Sequence, residues 1–128
     1  MPGSDGPDVR GARYGSRMIT RPTEGWRRLG TFPEVFLERV ERALLDFEAE
    51  VTALGVASDQ AVMAAVEHVV VALNQIDGTD DHDIDTVDRE ELCKYIDDVL
   101  THAGIDVEAL ARRRGIDPAE LTDEWREW

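Results

Sequence analysis

"TFPEVFLERVERALLDFEAEVTALG", Thr31–Gly55, is the stretch from which the fold can be read. Leu37, Val40, Leu44, Phe47, Val51 and Leu54 recur at alternating spacings of three and four, while Glu38, Glu41, Arg42, Glu48 and Glu50 take the other faces. An α-helix turns once in about 3.6 residues, so this spacing lines the apolar side chains along one side. Thr31 is placed as the N-cap with Glu34 three residues on, Pro33 lies in the first turn, where a missing N–H is tolerated, and Gly55 marks the end. A single amphipathic helix leaves its apolar stripe in water, so partner helices must follow.

Two more do. Ser58 caps a segment in which Val62, Val66, Val69, Leu73 and Ile76 form a seam that Met63, Val70 and Val71 widen, which predicts the most buried helix. Its β-branched run favours strand locally, but the interspersed alanines and the length of the period favour helix. Beyond an acidic connection, Leu92, Ile96, Val99 and Ala103 make a third stripe that Gly104 stops. Asp106 opens "VEALARRR", closed by Gly115, and Asp117 with Pro118 opens "PAELTDEWREW". The expectation is an all-α fold, a small helical bundle of three main helices plus one or two short C-terminal helices. Residues 1–30 read as a flexible basic Gly/Pro/Arg-rich tail ahead of an acidic helical domain at 31–128, and within the tail only "GWRRL", Gly25–Leu29, has the makings of a docking segment.

Charge divides the same way. Residues 1–30 hold six arginines against Asp5, Asp8 and Glu24, whereas residues 31–128 hold 8 basic against 25 acidic side chains, for a net charge of -14. Such a field repels phosphate backbones and anionic lipid and attracts cations or basic proteins. The lone Cys93 rules out an internal disulfide, no apolar run is long enough for a secretory signal or a membrane span, and a cytoplasmic location is expected. No Gly-x-Ser-x-Gly, phosphate-cradling glycine loop or CxxC pair is present, so the chain is expected not to be an enzyme. Cys93 lies among Glu90, Glu91 and Asp97, carboxylates that oppose thiolate formation.

The connection "NQIDGTDDHDIDTVDREEL", Asn74–Leu92, raises the question of a metal. With Asp77 in the first position, Asp77, Thr79, Asp81, the backbone of Asp83, Asp85 and Asp88 fall on the ligand positions of a calcium-binding helix-loop-helix, and Ile84 on its apolar position. Over about a dozen residues the stretch resembles the EF-hand family, which would imply calcium or magnesium held by oxygen. It departs from that pattern where His82 replaces the glycine, where Asp88 replaces the bidentate Glu, and in having no second loop. The competing reading makes Asp88 the cap of the third helix, with Glu91 completing the box and Val87 packing on Leu92. On that reading no cofactor is bound. "HDID", His82–Asp85, also resembles the His-Asp doublet of helical metal-dependent phosphohydrolases, with His68 as an upstream ligand. His68 is otherwise placed at the edge of the buried helix with a hydrogen-bond partner.

Two features remain. "ALARRRGIDPAEL", within 109–125, has the outline of a DNA-reading helix-turn-helix, but Asp117, Glu120, Asp123 and Glu124 would turn negative charge toward phosphate. Leu121, Trp125 and Trp128 recur at spacings of four and three, and either fold back onto the bundle or anchor a partner. The function expected is a non-catalytic protein-interaction module, a small acidic protein binding a basic partner in the manner of an inhibitor, immunity protein or adaptor. A divalent-cation-binding loop at 77–88 is the alternative and DNA binding the weaker one; neither nucleic acid nor membrane is expected as a partner.

Overall fold

The computed structural model describes residues 19–128. Of the expected tail, residues 1–18 lie outside the described part. Among the described residues five α-helices follow in order: α1 Pro22–Leu29, α2 Glu34–Leu54, α3 Asp59–Ile76, α4 Thr86–His102 and α5 Val107–Arg114, with 3-10 turns at Thr79–Asp81 and Pro118–Glu120. No strand occurs among the described residues. The all-α bundle of three main helices, α2, α3 and α4, is as the periodicities predict, because the stripes turn inward: Leu37, Val40, Leu44 and Phe47 lie in one core with Val66, Val69 and Leu73, and with Leu92 and Ile96, whereas Val71 and Ala103, expected to extend the second and third stripes, are exposed at their margins. None of these helices is long and apolar enough to cross a membrane.

Several ends form as their residues dictate. The Ser58 hydroxyl accepts from the Ala61 N–H at 3.1 Å, and Asp106 accepts from the Ala109 N–H at 3.0 Å. Gly115 takes the left-handed conformation that closes α5 at φ 72°. Thr31, by contrast, caps nothing: α2 begins at Glu34 with Pro33 in the cap position and no side-chain cap. The residue between them accounts for the shift, since the Phe32 ring stacks on Trp26 with centroids 4.8 Å apart and packs, partly buried, against the core ahead of the helix. The expected terminal helix at 118–128 is shorter than its spacing suggests, a 3-10 turn followed by further turns.

The main departure concerns residues 19–30, where a flexible tail is expected with only Gly25–Leu29 able to dock. Residues 22–29 are helical, with Pro22 at the first position and Gly30 left-handed at the end, and Trp26 is 2% exposed. The helix is stapled on both flanks. Arg21 forms a two-pronged ion pair with Glu48 (2.8 and 3.0 Å), and the Trp26 indole N–H donates to Glu91 Oε1 at 2.7 Å. Arg27 reaches Glu41 at 2.9 Å and holds its carboxyl below the usual carboxylate range. The folded unit therefore starts before residue 30, and α1 lies against α2 and α4.

Candidate functional site

The acidic connection folds as a set of internal closures. Asp77 Oδ1 accepts from the Ile84 N–H at 2.7 Å, Thr79 Oγ1 donates to the Ile76 carbonyl at 2.6 Å, and Asp80 pairs with Arg39 at 3.4 Å. His82 is drawn inward, its ring 4.6 Å from that of Phe32 and 4.7 Å from that of Phe36. The sharp turn falls earlier than an EF-hand frame places it: Asp80 and Asp81 take positive φ of 56° and 58°, whereas His82, in the glycine position, is extended at φ -130°. Two left-handed aspartates are sterically costly, on the order of 1 kcal/mol each, and the Asp77, Thr79 and Asp80 contacts on either side hold the turn.

Helix α4 starts at Thr86, capped by Asp85, and not at the Asp88 cap that the sequence reading favoured. Two boxes compete in "DIDTVDREEL", one from Asp85 to Asp88 and one from Asp88 to Glu91. Tertiary structure decides between them, because Trp26 claims Glu91. Asp88 instead becomes the third residue of the helix: its N–H donates to Asp85 Oδ1 at 2.8 Å, and its carboxylate accepts from the Asp85 N–H at 3.3 Å. Val87, expected to pack on Leu92, is exposed. Asp88 is 6% exposed, and this burial, reinforced by the Asp85 and Glu91 carboxylates, pushes its pKa up to about 6.

Of the six positions that the EF-hand frame would use, Asp77, Thr79, Asp85 and Asp88 thus satisfy the backbone around them, and Asp81 and Asp83 face solvent. Among the described residues no three His, Cys, Asp or Glu side chains converge to hold a metal ion. His68 and His82, the pair suggested by the phosphohydrolase-like doublet, are engaged separately: His68 Nδ1 lies 2.8 Å from Glu50 on the outer surface, and His82 sits among phenylalanines.

The C-terminal segment brings a different group together. Leu121 and Trp128 are buried against the bundle, the Trp128 indole N–H donating to the Val70 carbonyl at 3.4 Å, and Trp125 is half-buried. Asn74 secures the end by donating to the Trp125 carbonyl at 2.8 Å and accepting from the Glu127 N–H at 2.9 Å. This anchoring leaves two grooves with Leu121 on the floor of both. One, of about 300 Å³, runs between α4 and the 118–122 turn over Cys93 and Ile96; the other, of about 410 Å³, lies beside Met63 and Ile116. Glu90 and Asp97 edge the first beside Lys94, which is paired with Asp98, and Glu120, Asp123 and Glu124 edge the second beside Arg114. Asp123 pairs with Arg126, whereas Glu90, Asp97, Glu120 and Glu124 have no ion-pair partner among the described residues. Cys93 is half-buried on the first floor, its Sγ 3.6 Å from Thr122 Oγ1.

The helix-turn-helix outline in 109–125 is only half present. Helix α5 ends at Arg114, and the would-be reading helix is the three-residue turn Pro118–Glu120. Arg113 is turned to the protein itself, in a two-pronged pair with Asp59 at 2.7 and 2.8 Å. Comparison with protein-family models, with curated proteins and with solved structures finds no match.

Proposed function

We propose that the protein is a non-catalytic interaction module that binds a basic protein through the carboxylate-edged grooves around Leu121. The observation that carries this reading is the pairing of an apolar floor, Cys93 and Ile116 over the buried Ile96, Leu121 and Met63, with a mainly acidic rim, in which Glu90, Asp97, Glu120, Asp123 and Glu124 outnumber Lys94 and Arg114. A lysine or arginine side chain has the same two-part character, an aliphatic stem under a cationic tip, so its stem can lie on the floor while its charge meets the rim. The net charge of -14 steers such a partner in, and the partly exposed Cys93, Ile116 and Trp125 are the apolar surface it covers, supplying what exposed ion pairs alone do not. In this reading the anchor is the groove floor and the half-buried Trp125; Leu121 contributes as floor, and Trp128 supports from within.

The test is affinity capture from the source cell at low and high salt, with the wild type beside Glu90→Lys/Glu124→Lys. Basic proteins retained at low salt by the wild type alone, and released as salt rises, are the expected result. A captured set unchanged by the charge reversal would remove the support for this reading.

A further inference from the structure

A second surface has the opposite character. The outward side of α2 and α3 carries Val35, Leu45 and Val71, exposed to 46%, 40% and 37%, three of the six large apolar side chains that face solvent among the described residues. Val35 lines a groove of about 480 Å³ between the two helices, with Leu45 and Val71 on the helix surfaces outside it; Glu38 and Asp46 balance Arg39 and Arg42 in its lining, Arg39 also reaching Asp80. The helices run antiparallel, as the pairing of Glu50 with His68 and the groove's pairing of Val35 with Ile76 require. Arg42 and Asp46 stand one turn apart on α2, and neither is in an ion pair among the described residues.

We propose that this face is where a second copy of the chain docks, related by a two-fold axis, with Arg42 of each copy meeting Asp46 of the other. Charge argues for that occupant. Two copies of a protein with a net charge of -14 repel over most of their surface and can approach only where the charge is locally cancelled, and this groove is such a place. A basic partner, by contrast, would meet two arginines here. A two-fold axis passing α2 near Leu44 pairs residue 42 with residue 46 twice, in the reciprocal way that a symmetric interface demands. The same axis brings Leu45 of both copies together and sets the small Ala49 opposite Arg39. Dimension allows a small interface: helices of 21 and 18 residues, at 1.5 Å per residue and about 10 Å across, present roughly 600 Å² of projected face, at the low end of what specific interfaces take from each partner. The seam of α2 from Leu37 to Val51 is engaged inside the bundle, so this dimer uses the other side of the helix.

Sedimentation equilibrium of the full chain tests the proposal. The mass should climb from monomer toward dimer with concentration, and Leu45→Glu/Val71→Glu should remain monomeric with an unchanged far-UV spectrum, since both positions are exposed. Arg42→Glu should raise the dissociation constant at least about threefold, and Arg42→Glu/Asp46→Arg, which restores the reciprocal pairs, should recover it. The dimer should persist at about 0.5 M salt, where repulsion between the copies is screened and capture of a basic protein is lost. A monomer at every concentration overturns the proposal, as does a dimer indifferent to Leu45→Glu/Val71→Glu or a charge swap that fails to rescue. Loss of a different protein's binding on Leu45→Glu, with the chain monomeric throughout, would assign the face to that protein instead.

Discussion

Asp88→Asn should make this protein more stable at neutral pH, against the usual result of removing a helix-capping group. Asp88 is nearly buried, and its carboxyl titrates at about 6 where an ordinary one does so at 3.8. The folded state therefore holds the Asp88 proton more tightly than the unfolded chain does. The contribution of this group is favourable when protonated, falls as pH rises from the ordinary value through about 6, and stays unfavourable above. A gap of roughly two pH units corresponds to about 3 kcal/mol, a ceiling because Asp85, on the other side of the box, is open to solvent. Asparagine keeps an oxygen to accept from the Asp85 N–H and removes the charge. Urea unfolding of both proteins, followed by far-UV circular dichroism from about pH 3 to about pH 7.5, should show nearly coincident stabilities at the acid end and a gap of about 1 to 3 kcal/mol in favour of Asp88→Asn at the other. An asparagine variant less stable at every pH, or a gap that does not change with pH, would refute the reasoning, because either result means that the hydrogen bonds of the box outweigh the desolvated charge.

Trp26→Ala should cost about 3 to 5 kcal/mol, the loss typical of a buried indole, and Trp26→Phe less, with Glu91 left without its donor in both; a melt unchanged by Trp26→Ala would return α1 to the tail. Asp77→Ala should lower stability by about 1 to 2 kcal/mol with or without millimolar calcium, because the group it serves is the Ile84 N–H; a loss seen only with calcium present would make the loop a metal site. Removing residues 121–128 should lower the unfolding midpoint, since Leu121 and Trp128 belong to the core, and calorimetric melting that stays put would free both side chains for a partner. Between the ordinary carboxylate range and more acid solution, Glu41 works opposite to Asp88: its folded pKa is lowered by Arg27, so its contribution is lost as pH falls, and Arg27→Ala should flatten that limb of the pH profile.

Periodicity, caps and composition were enough to place the bundle. The three stripes led by Leu37, Val62 and Leu92 specify their helices locally, because an apolar residue every third or fourth position has one economical arrangement in water, and Ser58, Asp106 and Gly115 mark ends by hydrogen bonds within a turn. The acidity of the surface and the lack of a catalytic signature are likewise properties of the residues present. What the sequence left undecided turns on contacts between residues far apart in the chain. "PTEGWRRLG" carries proline before and glycine after a single turn-spaced tryptophan, a helix signal too short to stand alone; it becomes a helix because Trp26 finds Glu91 and Arg21 finds Glu48, 65 and 27 residues away. That same Glu91 contact settles which of two overlapping capping boxes forms, and so moves the start of α4 from Asp88 to Asp85. Whether Leu121 and Trp128 turn inward was equally open, since a spacing of three and four describes an apolar side without naming what it covers; Val70 and Asn74 on α3 supply the answer. Local physics chose the helices, and the competition for a few shared partners, visible only once the helices are packed, chose their ends and the surfaces left to the outside.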